Sequence, residues 1–112
     1  MENVNNIFVK VYGVNEKRIE NLKFCSNLLE DIAQTLNYTI LDRTFHKFKP
    51  QGLTGVLLLA QSHLSLHTWP ETQFVVIEMV TCQKFTPREE KILCKIIKKH
   101  LSPKRMKIII NR

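Results

Sequence analysis

Glycine and proline are sparse in this chain, three and four among 112 residues, which excludes collagen-like, linker-rich and low-complexity architectures. Cysteine is equally scarce. Cys25, Cys82 and Cys94 are odd in number, far apart and without C-x-x-C spacing, which argues against a disulfide framework or a zinc knuckle; free thiols are expected. Long hydrophobic runs are missing too. None approaches the roughly 18 residues of a membrane span, and the N-terminus shows no basic segment followed by an apolar run and a small-residue cleavage site. A soluble, cytoplasmic protein with no membrane partner is the expectation.

Acidic residues nearly vanish from the last quarter of the chain. From Lys84 onward ten Lys and Arg face only Glu89 and Glu90, so that segment carries 10 − 2 = +8, and residues 1–83 carry 7 − 8 = −1. Clustered cations attract phosphates, so a basic nucleic-acid-binding module is the rival class. No aromatic residue lies among them from Thr86 onward, however, and a stacking platform for single strands is therefore missing. The surplus reads as a solvated helix face plus an edge strand guarded by lysines, with no nucleic-acid partner. A chain of this length fits one domain, residues 1–112, and buries only about 60–70% of its unfolded surface. Association would relieve that shortage.

What is present is a series of short, well-punctuated elements. Ile7 to Val14 alternates as a strand closed by Gly13. A helix follows, with Asn15 as N-cap and Ile19, Leu22, Leu29, Ile32, Ala33 and Leu36 at helical spacing through Asn37; Cys25 falls on the same face and reads as core. Strands are expected over Tyr38 to Lys49, Leu53 to Ala60, Leu64 to Trp69 and Phe74 to Cys82, with Pro50-Gln51-Gly52 as a stop. Thr86-Pro87-Arg88-Glu89 is a capping box with proline at the first helical position, and Ile92, Leu93, Ile96, Ile97 and Leu101 supply that helix's buried stripe. Met106 to Ile110 is the last strand. The order β-α-β-β-β-β-α-β predicts an α+β fold, a two-layer sandwich with two helices on one face of a mainly antiparallel sheet.

Polar chemistry concentrates in Gln61-Ser62-His63-Leu64-Ser65-Leu66-His67-Thr68-Trp69-Pro70-Glu71. Each polar group buried without a partner costs roughly 1–3 kcal/mol, so a strand that keeps several invites a functional reading. A metal site needs His63 and His67 to converge, yet four residues of strand span about 13 Å against Zn–N bonds of about 2 Å. A Ser-His hydrolase needs a bent chain to bring Ser62 to His67, and neither a G-x-S-x-G elbow nor an orienting acid is evident. His63, Ser65 and His67 can also be simply the polar face of an alternating strand. Spacing alone leaves these readings open.

The run FHKFKPQGLTGVLLLAQSHLSLHTWPE, Phe45 to Glu71, followed by Ile77-Glu78-Met79-Val80-Thr81-Cys82, closely resembles the short bacterial and archaeal pyruvoyl-dependent S-adenosylmethionine decarboxylase proenzymes. Members show FHKF-x-P-x-G, then E-S-H-[LI]-[ST]-[IL]-H-T-W-P-E, then a strand ending in T-C. Three separated blocks in the right order make a specific signal, and the family's fold agrees with the element order above.

The resemblance implies a zymogen that matures by cutting itself between Gln61 and Ser62. The Ser62 hydroxyl attacks the Gln61 carbonyl in an N-to-O acyl shift, and elimination then releases chain 1–61. Ser62 becomes dehydroalanine, which tautomerises and loses ammonia to leave a pyruvoyl group on chain 62–112. Such a group forms a Schiff base with a substrate amine and accepts electrons as carbon dioxide departs, as PLP does elsewhere. No external cofactor and no metal is expected. By the same resemblance His67 supports processing, Thr54 stands where the family has a hydroxyl, commonly serine, and Cys82 is the proton donor. Phe48 and Trp69 are the candidate adenine-stacking rings and Glu71 the candidate ribose acid. The implied substrate is S-adenosylmethionine, the product serves spermidine biosynthesis, and the short members pair as homodimers. One departure stands out. Gln61 replaces the usual glutamate; it is nearly isosteric but cannot ionise, which keeps a paralogous pyruvoyl-dependent arginine or ornithine decarboxylase, and an unprocessed, inactive homologue, as alternatives.

Overall fold

A computed structural model describes residues 4–112. Six strands, β1 (Asn5–Tyr12), β2 (Ile40–Lys47), β3 (Leu53–Leu59), β4 (Ser62–Trp69), β5 (Phe74–Thr81) and β6 (Arg105–Asn111), form one sheet in the order β2-β3-β4-β5-β1-β6. Every neighbouring pair is antiparallel. β4, the strand that carries the polar crowd, is therefore interior, flanked by β3 and β5. The basic β6 lies at an edge, where its Arg105 and Lys107 discourage pairing with another chain.

Helices α1 (Glu16–Ile19), α2 (Leu22–Thr35) and α3 (Pro87–Leu101) complete the fold. α2 packs over β2, β3 and β4 and against α3. The stripe Leu28, Leu29, Ile32 and Ala33 of α2 and Leu93, Ile97 and Leu101 of α3 enters one core with Ile7, Val9, Leu57, Leu64, Leu66 and Ile77 of the sheet. The capping box at Thr86 is present, with Glu89 reaching back to the Thr86 backbone. Burial and the nearby Glu20 carboxylate push the Cys25 thiol up to about 12, which makes it an inert core group at neutral pH.

The expected α+β sandwich is observed, with corrections to a helix and to strand starts. The single helix predicted from Asn15 to Asn37 is two, because Asn21 caps a fresh start: its side chain accepts from the Phe24 amide at 2.9 Å. Leu22, expected in the buried stripe, is consequently in the exposed first turn of α2. Strand β2 begins at Ile40 rather than Tyr38, whose side chain instead turns into the core. Phe45 of β2 lies directly over Gly55 of β3, where an added Cβ would stand 2.3 Å from the ring.

The sheet has a second face. Alternation puts Ser62, Leu64, Leu66 and Thr68 on the helix-covered side of β4 and His63, Ser65, His67 and Trp69 on the other. The uncovered face also carries Val56 and Leu58 of β3 and Ile109 of β6, exposed by 36%, 51% and 45%.

Candidate active site

The eight candidate residues fall into two groups at opposite ends of β4. The first group surrounds the β3–β4 hairpin, in which Ala60 and Gln61 are the only residues between Leu59 and Ser62. So tight a turn forces a left-handed residue, and Gln61 takes that conformation at φ 59°. A non-glycine residue held there stores roughly 1–2 kcal/mol of backbone strain, which places the strain immediately before the Gln61–Ser62 bond. The Gln61 side chain is exposed, so exchanging amide for carboxylate leaves this geometry untouched.

Cys82, just past the end of β5, completes that group. Its thiol donates to the Gln61 carbonyl oxygen at 2.8 Å, and its backbone amide donates to the Ser62 hydroxyl oxygen at 3.3 Å. One residue therefore holds both the electrophile and the nucleophile of a prospective acyl shift. A donor on the carbonyl oxygen favours charge building there as the carbon is attacked. Ser62 is buried and Cys82 exposed.

The second group lies at the far end. Thr54 and His67 are register partners on the uncovered face, with Thr54 Oγ1 and His67 Nδ1 2.9 Å apart. Beside them opens a cavity of about 360 Å³ lined by Phe48, Gly52, Thr54, His67, Trp69 and Glu71, among others. Phe48 and Trp69 are 49% and 40% exposed, so neither is a core ring; both present aromatic surface for stacking. Trp69 leans on Phe74, with ring centroids 5.4 Å apart. Sequence reasoning missed His46, which lies opposite Thr54 in the β2–β3 register and sets its ring against Phe48 with centroids 4.6 Å apart. The FHKF run and the β2–β3 pairing were the signals that could have found it.

The groups do not meet within one chain. Ser62 and His67 are five residues apart on a fully paired strand, about 17 Å at the usual rise per residue. The bent chain that a Ser-His hydrolase needs does not occur. Among the described residues, no group of three or more His, Cys, Asp or Glu side chains gathers to hold a metal ion, and no helix is long and apolar enough to cross a membrane.

The family model for S-adenosylmethionine decarboxylase matches residues 5–112, nearly the whole chain. The chain belongs to that family. An S-adenosylmethionine decarboxylase proenzyme of Clostridium botulinum (strain Hall) is 37% identical over 84 residues, which are 74% of this chain and 72% of the relative. Another, from Sulfurihydrogenibium sp., is 41% identical over 76 residues, 68% of this chain and 57% of that one. Among solved structures, the adenosylmethionine decarboxylase of Aquifex aeolicus superposes with a TM-score of 0.85 at 31% identity, covering 98% of this chain and 89% of that one. A Trypanosoma brucei AdoMetDC monomer, 13% identical and matched over 45% of its length with a TM-score of 0.67, shares the fold. Family membership makes this chain a decarboxylase.

Proposed function

We propose that the chain is a self-cleaving S-adenosylmethionine decarboxylase, cut between Gln61 and Ser62 and active as a homodimer. The observation that carries the reading is Cys82, which holds the Gln61 carbonyl and the Ser62 hydroxyl at once beside a strained backbone. Attack by the Ser62 Oγ on the Gln61 carbonyl carbon forms the ester and breaks the amide, the hydroxyl proton passing to the leaving amine of residue 62, with the thiol hydrogen bond stabilising the developing oxyanion. That exchange also relieves the left-handed constraint on Gln61. Loss of the Ser62 α-proton then expels the carboxylate of chain 1–61, and water releases ammonia from residue 62. The pyruvoyl group so formed supplies a carbonyl electrophile and electron sink.

The remaining roles belong to the far group. His67, oriented by Thr54 at 2.9 Å, is the base for the α-proton. Phe48 and Trp69 sandwich the adenine, Glu71 accepts from the ribose hydroxyls, and the Cys82 thiol returns a proton to the substrate carbon after carbon dioxide leaves. Because His67 lies about 17 Å from Ser62 of its own chain, it serves the partner's. A twofold axis lying between two stacked sheets and perpendicular to β4 reverses the strand, so the hairpin end of one protomer lies over the Trp69 end of the other. The exposed Val56, Leu58 and Ile109 on the uncovered face support such stacking. Each dimer then has two equivalent composite sites.

The test of substrate is release of carbon dioxide from carboxyl-labelled S-adenosylmethionine, arginine and ornithine in parallel. Release from S-adenosylmethionine alone is expected; release only from an amino acid would refute the substrate while sparing the cleavage chemistry.

A further inference from the structure

Cys82 is exposed, yet it makes two directed hydrogen bonds. An exposed side chain on a turn has many rotamers and a mobile backbone to lose, so something else must hold it. The neighbouring residues form that restraint. Thr81, fully buried, shares a hydrogen bond of 2.5 Å with the Tyr38 hydroxyl, and its Oγ1 also accepts from the Gln83 amide at 3.1 Å. Asn5 Nδ2 donates to the Gln83 carbonyl at 2.9 Å. The residues on both sides of Cys82 are thus tied down, one to the end of the α2 segment and the other to β1.

Tyr38 itself is well anchored. Its amide donates to the Ala33 carbonyl at 2.8 Å, closing the end of α2, and its ring is buried in the core. Burial raises its phenol above the ordinary range, so it stays neutral and keeps its proton for the bond. The clamp is therefore built from a rigid helix end rather than from another loop.

We propose that Tyr38 and Thr81 are positioning residues for the chemistry at Gln61–Ser62, acting through Cys82: they fix the turn so that the thiol meets the Gln61 carbonyl and the amide meets the Ser62 hydroxyl. Neither touches the reacting atoms. The inference rests on the self-cleavage reading above. Misplacement of a catalytic group by about 1 Å can cost on the order of a hundredfold in rate, so a partly loosened clamp is expected to slow cleavage by about tenfold.

The experiment is a kinetic cycle on the full chain, following cleavage by intact mass. Tyr38→Phe keeps the ring and removes only the hydroxyl, and is expected to slow cleavage about tenfold in the wild-type background and by a clearly smaller factor in a Cys82→Ala background, which has lost the thiol contact and keeps only the residue-82 amide on the Ser62 hydroxyl. A purely structural role predicts the same loss in both. Thr81→Ser, which keeps the hydroxyl, is expected to cleave at the wild-type rate, whereas Thr81→Val follows Tyr38→Phe. A second readout needs no cleavage. In the Ser62→Ala chain, adding Tyr38→Phe frees the thiol, so alkylation of Cys82 by iodoacetamide, located by peptide mass, becomes several-fold faster. Wild-type cleavage together with an unaffected Tyr38→Phe chain overturns the clamp and leaves the cleavage reading standing. An uncleaved wild-type chain refutes cleavage itself and the kinetic role with it, while unchanged alkylation overturns the clamp on separate grounds.

Discussion

If His67 serves the partner's Ser62, two defective chains should repair each other. The perturbation pairs His67→Ala, which keeps its own Ser62 but lacks the base, with Ser62→Ala, which keeps His67 but has nothing to convert. In a mixed dimer one composite site has lost both residues and the other has kept both. The intact site lies on the chain carrying His67→Ala, so that chain is cut although it is not cut alone. Random assortment of equal amounts puts about half of the His67→Ala chains into mixed dimers, so cleavage should plateau near half of that chain. The geometry sets the expectation. Ser62 and His67 of one chain are joined by a paired strand and stand about 17 Å apart, far beyond the roughly 3 Å of proton transfer, and no rotamer spans that gap. The assay is co-expression of the two chains with different tags, followed by mass analysis of each. Cleavage of His67→Ala alone at the wild-type rate, or its complete persistence in the mixture, would refute the shared site.

Other expectations are more local. Gly55→Ala drives a methyl group into the Phe45 ring, which lies 2.3 Å from the ideal Cβ position; overpacking of this kind costs about 1–3 kcal/mol, readable as a lower midpoint in urea, and an unchanged midpoint would show that β2 shifts freely. Asp31 on α2 binds His100 of α3 at 2.8 Å, a bond that holds its carboxyl below the ordinary value, with Thr35 and Lys99 assisting. A depressed folded-state pKa adds stability above the unfolded value and loses it as pH falls through the folded one. Asp31→Asn should therefore flatten the loss of stability below about pH 5, toward and past the ordinary aspartate range near 3.9, and an unaltered slope in chemical denaturation across that range would remove the pair from the account.

Much of the sheet is legible from the residues alone. β1 alternates Ile7, Val9 and Val11 against Lys10 and Tyr12, and Thr86-Pro87-Arg88-Glu89 marks the start of α3 so strongly that local chemistry and tertiary packing agree. The break between α1 and α2 is not legible, because apolar spacing runs straight through Glu20 and Asn21, and asparagine is ordinary on a helix surface until its side chain is seen capping Phe24. The candidate residues are named by their motifs, but their division into two groups comes from register. The same rise per residue that keeps His63 from His67 keeps Ser62 from His67, once β4 is known to begin at Ser62 rather than Leu64. The Tyr38–Thr81 bond joins residues 43 positions apart, a contact that no local pattern can announce.

The central claim is that Ser62 is consumed by its own chain. Intact mass of the purified protein tests it most directly, with Ser62→Ala alongside. The account predicts two wild-type fragments of 61 and 51 residues, since 112 − 61 = 51. The shorter should be lighter than its plain hydrolysis product by one ammonia and should react with hydroxylamine, while Ser62→Ala stays whole. A single wild-type mass equal to the uncut chain, or both fragments from Ser62→Ala, would contradict it.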